Sequence, residues 1–151
     1  MPDLLTHTAF SYFVARPHRF VRYRAIFYLG TILPDIISRP IYILKPELFP
    51  YTVGIHTPVF LLLFGCFMSL FFESEIRASI RNWLFIGMAL HLFLDFFQRH
   101  LSGGGYFWLF PFSWKSFEIG LYWPEQPLKF IPLWLAAILV TEVIVRRRKR
   151  A

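Results

Sequence analysis

A run of predominantly apolar residues, 53–72, places the strongest constraint on how this chain folds. A helix of about 20 apolar residues spans the roughly 30 Å hydrocarbon core of a bilayer. Four further apolar segments accompany it, residues 4–15, 25–44, 83–97 and 130–145, and 56% of the 151 residues are hydrophobic. A soluble domain of this size is less apolar. We therefore predict an all-α polytopic membrane helical bundle that forms a single domain, residues 1–151.

Several of these segments are too short or too interrupted to cross a membrane as one straight helix. Residues 4–15 reach about 18 Å as a helix, which is only partway across the hydrocarbon core. The region 25–44 is interrupted by Gly30, Pro34, Asp35 and the pair Arg39-Pro40, and residues 83–97 are also short. Broken helices at membrane depth need protein or a cavity around them. We therefore expect short or broken helices in the bundle.

The net charge of +7 comes from basic residues in three blocks beside apolar segments, residues 16–24, 77–81 and 146–150. This distribution is the positive-inside pattern of membrane proteins, so we predict attraction to anionic lipid and no nucleic-acid partner. A cytoplasmic basic tail, residues 146–151, puts all three blocks on the inside and residues 99–129 on the outside. The sequence leaves the oligomeric state unknown.

Ionisable residues stand inside or next to the apolar segments, and they are His7, Asp35, His56, His91 and Asp95. A charge within a bilayer costs several kcal/mol, so such residues indicate a function. The predicted topology places them at a similar depth near the outer face, provided that residues 4–15 begin on the outer side. His91 and Asp95 are four residues apart, which puts both on one face of a helix.

Imidazole and carboxylate groups together suit zinc or a similar divalent ion. We expect Asp35, His56, His91 and Asp95 to form a first set of metal ligands. His7 would then hold a second ion with an aspartate bridging, as in two-metal hydrolases. In the alternative, His91 and Asp95 form a hydrogen-bonded structural pair, while His7 and His56 cap helices near the interface.

Around these residues the sequence resembles the YdjM-type family of predicted bacterial inner-membrane metal-dependent hydrolases. The matching pieces are His7, the sequence LGTILPD at 29–35, HTP at 56–58, HLFLD at 91–95, and Gly104-Gly105 leading to FPFS at 110–113. The resemblance implies an inner-membrane hydrolase that carries a divalent metal. The order His, Asp, His, His-x-x-x-Asp is also similar to the first ligands of zinc-dependent phospholipase C, which implies zinc and phosphoester chemistry.

The sequence departs from both patterns at identifiable places. Ile37 stands where the family often has a second aspartate, and residues 51–53 read Tyr-Thr-Val where it often has an extra His-Arg. The later histidine and glutamate ligands of phospholipase C are not recognisable, since His100 and Glu118 lack the required spacing. These departures bear on the number of ions and on the substrate.

The resulting hypothesis is a hydrolase in which a metal-activated water attacks the phosphorus of a lipid or lipid-linked phosphoester. Asp35 would take the proton, and Arg39, Arg99 or Lys115 would bind the substrate and stabilise the developing charge. The aromatic stretch 106–123 would form either a wall for an acyl chain or an interfacial belt. Two alternatives remain: a metal-ion or proton transporter or channel-like protein that uses the same His/Asp cluster, and a regulatory protein with a purely structural metal site.

Overall fold

The computed structural model describes residues 4–16, 22–100, 105–123 and 125–150, and for residues 148–150 the backbone alone. Within these ranges the fold is all-α, as predicted, with isolated bridges in place of strands. The helices are α1 (Leu4–Val14), α2 (Arg24–Leu44), α3 (Phe49–Thr52), α4 (Pro58–Ser69), α5 (Ser74–Phe97) and α6 (Ile131–Arg150). Short 3-10 turns cover Pro46–Leu48, Val53–His56 and Gln126–Phe130.

Helices α2 and α5 form the centre of the bundle and approach each other backbone to backbone. A Cβ atom on Gly87 would lie 2.3 Å from the carbonyl oxygen of Phe27, and one on Gly30 would lie 2.5 Å from that of Leu84. Small residues allow helices in a membrane to pack this closely. Beside this crossing, α4 packs on α5 and completes the buried core, which comprises Leu33, Leu61, Ile80, Leu84 and Met88.

Three described helical segments are long and apolar enough to cross a membrane: Arg24–Leu44, Ser74–Phe97 and Gln126–Arg147. The predicted spanning segment 53–72 is not one straight helix, because Pro46–His56 and Pro58–Ser69 meet at an angle of 81°. Thr57 is extended at this bend, as the residue before a proline tends to be, and its side chain accepts a hydrogen bond from the Phe60 backbone N–H. A new helix therefore begins at Pro58.

Other boundaries also differ from the prediction. The expected interruptions of α2 were wrong, because this helix continues through Pro34 and Pro40 to Leu44. A proline is tolerated in a membrane helix where neighbouring groups compensate for the lost backbone hydrogen bond. The segment predicted at 83–97 begins at Ser74, since its polar first turns are helical as well. The basic tail is also helical, and α6 ends at Arg150.

The described members of the three basic blocks lie at the ends of helices, away from the predicted ligands. Arg16 follows α1 and pairs with Glu142 of α6 at 3.1 Å, while Arg24 at the start of α2 donates to the Ala15 carbonyl. Arg81 precedes His91 along α5 by about 15 Å of helix. Residues 17–21 of the first block, residue 151 of the tail and Gly104 lie outside the described residues.

Candidate metal site

The structure brings all five predicted metal ligands into one buried cluster. His7 Nε2 lies 3.4 Å from Asp95 Oδ1, and His91 Nε2 lies 3.2 Å from Asp95 Oδ2. On the other side of the cluster, His56 Nε2 is 3.4 Å from Asp35 Oδ1. The His91 ring stands between the other two imidazoles, with its centroid 4.4 Å from that of His7 and 5.3 Å from that of His56.

The close crossing of α2 and α5 positions His91. Gly87 lies one turn before His91 on α5, and Gly30 directly precedes Thr31 on α2. Because the backbones touch here, His91 Nδ1 reaches the Thr31 carbonyl oxygen at 2.7 Å. A carbonyl oxygen only accepts, so Nδ1 carries the proton and donates it. The hydrogen bond thereby fixes the tautomer that leaves the Nε2 lone pair directed at the cluster.

That lone pair has no hydrogen-bond donor among the described residues, although His91 is completely buried. The nearest polar atom, Asp95 Oδ2 at 3.2 Å, belongs to an acceptor, and the contact does not have hydrogen-bond geometry. Two acceptors this close repel each other unless a proton or a cation lies between them. Buried polar atoms are nearly always satisfied, so the orphaned nitrogen needs either a proton shared with Asp95 or a cation.

The separations in the cluster suit a divalent ion. Zinc binds nitrogen and oxygen ligands at about 2.0–2.1 Å in a tetrahedral arrangement, which sets neighbouring ligand atoms about 3.3 Å apart. The separation of 3.2 Å between His91 Nε2 and Asp95 Oδ2 is close to this value. Two sets of residues bring ligand atoms within 4.8 Å of one another: His7, Asp35 and His91, and His56, His91 and Asp95. Both sets use His91, so its single available nitrogen serves one ion.

The charges in the cluster point the same way. The guanidinium of Arg39 is ion-paired with Asp35 Oδ2 at 2.5 Å, and the histidines are neutral when they act as ligands. Two carboxylates and one guanidinium then leave a net charge of −1. A net negative charge in a buried site is costly and attracts a cation, although a divalent ion alone reverses the total to +1 instead of neutralising it. Asp35 keeps Oδ1 for the cluster, since Arg39 holds the other oxygen.

A cavity of about 40 Å³ opens beside the ligands, large enough for a water molecule with several polar partners. Four of the five predicted ligands line it, His7, Asp35, His56 and Asp95. The remaining wall comprises Arg39, Tyr42, Phe49, Thr52, Val53, Gln98, His100 and Tyr106.

Four polar residues of this wall, Tyr42, Thr52, Gln98 and Tyr106, were not predicted as site residues, and His100 was expected from the sequence to be a solvated loop residue. Gln98 is buried and donates from Nε2 to the Tyr106 hydroxyl at 3.4 Å, while its Oε1 has no described hydrogen-bond donor. His100 was expected in a solvated loop, but its ring packs on Tyr106 at 4.8 Å. Burial lowers the pKa of His100, and the nearby Glu118 carboxylate partly offsets that effect. The position of Gln98, one helical turn after Asp95, was the available sequence signal.

Of the three predicted substrate-binding cations, only Arg39 lies at the cavity. Arg99 is directed to a neighbouring surface, where it donates to the Gly120 carbonyl at 2.9 Å and lies over the Trp123 ring. Lys115 is exposed, and its described hydrogen bond is a backbone one to Ser113 Oγ. The folding of the 105–123 segment separates these two side chains from the ligands.

Residues 2–151 match the family model described as YdjM inner membrane protein. No curated protein and no solved structure matches the chain. The family match covers every residue of the described cluster. The likeness to the phospholipase C ligand order stays a prediction.

Proposed function

This chain belongs to the YdjM inner membrane protein family, and we propose that it is a membrane-embedded metal-dependent hydrolase of a lipid or lipid-linked phosphoester. The observation that carries the proposal is the orphaned Nε2 of His91, which is directed into a buried cluster of imidazoles and carboxylates. A purely structural site would have all its ligand directions filled, whereas a catalytic site keeps an open position. The cavity of about 40 Å³ beside the ligands provides that position.

We assign the metal to His56, His91 and Asp95, which form one of the two ligand sets, with His7 and Asp35 at its edge. Zinc fits this combination of nitrogen and oxygen donors best. A divalent ion bound there supplies an activated water at neutral pH and neutralises charge on the phosphoryl oxygens. Since both ligand sets need the same His91 nitrogen, we expect one ion rather than two.

The remaining polar groups have separate tasks. Asp35 presents Oδ1 to the cavity and accepts the proton of the attacking water, because Arg39 keeps its other oxygen engaged. Arg39 also faces the cavity, where its positive charge stabilises the phosphoryl group as negative charge builds up. Gln98 and the Tyr106 hydroxyl lie opposite and orient the substrate by hydrogen bonds.

We propose that the chain passes through the membrane several times and has a cytoplasmic carboxyl terminus. The described members of the three basic blocks lie at the ends of α1 and α6 and near the starts of α2 and α5, as the positive-inside rule requires for cytoplasmic ends. The ligands lie toward the opposite ends of α1 and α5 and at the middle of α2. The site then opens near the outer face of the inner membrane, within reach of lipid headgroups.

Two measurements on purified protein in detergent test the proposal. Zinc should bind stoichiometrically to the wild type and be lost in His91→Ala, while Lys115→Ala, at an exposed side chain away from the cavity, retains it. The wild type should release the phosphorylated headgroup from one member of a lipid phosphoester panel, and Asp35→Asn should not. Zinc flux into proteoliposomes without any turnover would instead favour the transporter alternative, and a zinc-free wild type would contradict the proposal.

A further inference from the structure

A second, larger depression lies next to the metal cavity and is almost entirely apolar. Its volume is about 460 Å³, within the range of small-molecule pockets. One wall comes from the chain around the bend before α4, including Val53, Gly54 and Leu63. The other wall comes from the aromatic segment, including Phe107, Phe110 and Trp114. We call this depression the apolar groove.

The apolar groove adjoins the metal cavity at two places in the chain. Thr52 lines the cavity, Val53 lines both spaces and Gly54 lines the groove. Across from them, Tyr106 lines the cavity and the next residue, Phe107, lines the groove. A molecule that occupied both would therefore place a polar group beside the ligands and an apolar group along the groove.

Packing among the aromatic side chains holds the outer wall in place. The Trp114 ring packs edge-to-face on Phe110 at 4.9 Å and on Phe107 at 5.9 Å. Leu63 and Trp114 are also largely exposed at the rim, so the groove opens sideways to the surroundings of α4. In a membrane protein those surroundings are lipid. A hydrocarbon chain can thus enter from the bilayer without crossing water.

We propose that the apolar groove binds one hydrocarbon tail of the substrate, so that the substrate is a phosphate-bearing amphiphile that enters sideways from the membrane. This inference rests on the proposed function for the location of the phosphate. Val53 lines both spaces, so the groove lies beside the metal cavity and its occupant is part of the substrate rather than bulk lipid. The apolar lining offers no recognition of a sugar or a peptide chain. The groove therefore selects for the tail, and the cavity selects for the phosphate.

Photolabelling of metal-free protein tests the inference without any turnover. The probe is dodecyl phosphate with a diazirine at the end of its tail, added to chelator-treated protein in phosphatidylcholine nanodiscs. We expect labelling to concentrate on residues 50–63 and 107–114. Excess unlabelled dodecyl phosphate and excess dodecanol should both compete, because the tail is the part that the groove binds when no metal is present.

A matched pair of variants on α4 makes the test specific. Leu63 lines the groove, whereas its neighbour Leu62 is similarly exposed but does not line it. Leu63→Trp should reduce labelling by about tenfold, because the tail loses its apolar contacts in the groove. Leu62→Trp should leave labelling within about twofold of the wild-type level. Gly54→Leu provides a second blocking variant, because a Cβ at Gly54 meets only the Phe110 ring at an ordinary 3.9 Å.

The outcomes separate this inference from the proposed function. Labelling spread evenly over the lipid-facing helices, or equal in Leu63→Trp and Leu62→Trp, would overturn the groove inference. Hydrolysis of a short, water-soluble phosphoester by the same preparation reports on the proposed function alone. Tail labelling together with no hydrolysis of any phosphoester would leave the groove established and refute the hydrolase.

Discussion

Replacing Gly87 by alanine should disrupt the metal site from a distance, without touching a ligand. The added Cβ would lie 2.3 Å from the Phe27 carbonyl oxygen, 2.8 Å from the Thr31 nitrogen and 2.9 Å from the Gly30 Cα. All three are backbone atoms, so no side chain can rotate away. Ordinary contact begins at 3.4 Å, and α2 and α5 must therefore separate locally by about 1 Å, which is overpacking with a typical cost of about 1–3 kcal/mol.

The same displacement acts on the hydrogen bond that orients His91. His91 Nδ1 and the Thr31 carbonyl oxygen are 2.7 Å apart, and an added separation of about 1 Å takes them beyond hydrogen-bonding distance. Loss of such an outer partner costs about 10–100-fold in metal affinity. We therefore expect Gly87→Ala to weaken zinc binding by that factor, measured by competition with a fluorescent chelator, and to lower the Tm.

Gly65→Ala is the matched control for this prediction. A Cβ at Gly65 would lie 2.4 Å from the Phe85 ring, a clash of similar depth at the α4–α5 contact. The clashing atoms belong to a side chain, however, and neither His91 nor Thr31 is among them. The Tm should fall while zinc affinity stays near the wild-type value. Unchanged zinc affinity in a folded Gly87→Ala protein would refute the link between the helix crossing and the site.

Three further predictions concern single side chains. Asp95→Asn removes a charged ligand, so zinc binding should weaken by more than about 100-fold, the upper value for loss of an outer partner. A wild-type zinc affinity of this variant, measured by isothermal titration calorimetry, would contradict the assignment of Asp95 as a ligand. Arg39→Gln should lower kcat by about 100-fold, because it removes a donor that stabilises negative charge, whereas Arg99→Gln should change kcat little. Equal losses of kcat in the two variants, measured in steady-state assays, would argue against the role of Arg39. Glu142→Ala should release α6 from α1 at a cost of about 1–2 kcal/mol, and proteolysis near residue 130 should become faster. Glu75→Ala, at an exposed residue, should leave the rate of proteolysis unchanged.

The sequence allowed the ligands to be predicted because their chemistry is visible without a structure. His91 and Asp95 share a helix face at a spacing of four, and an ionisable residue in an apolar segment is conspicuous wherever it occurs. Pairing those two with residues from other helices needed the assumption of a common depth. The helix crossing at Gly30 and Gly87 brings the ligands of α2 and α5 to a common depth. Its geometry depends on contacts between two helices that are distant in the sequence, so it could not be predicted from either helix alone.

The errors have two physical causes, since local signals were given too much weight in α2 and too little weight before α4. Pro34 and Asp35 were expected to interrupt α2, although a helix held against α5 tolerates them. At Pro58 the opposite happened. The apolar run 53–72 was read as one helix, although Thr57 as N-cap and Pro58 as first helical position indicate that a new helix begins there. Gln98 and His100 were not predicted as site residues, because the sequence around Tyr106, which contacts both, has no periodic pattern.

The arrangement of these parts divides the chain into two functional layers. The α2–α5 crossing is held by backbone contacts that leave no room for a Cβ, so it fixes the ligands and tolerates little change. The side chains that line the groove, on the bend before α4 and on the segment 105–123, lie outside this crossing, although backbone hydrogen bonds such as that from the Ile119 N–H to the Phe96 carbonyl also hold the segment on α5. Substitutions in the first layer should therefore change metal affinity and stability together. Substitutions in the second should change substrate choice while the metal remains bound, because binding loops on a rigid scaffold vary without disturbing it.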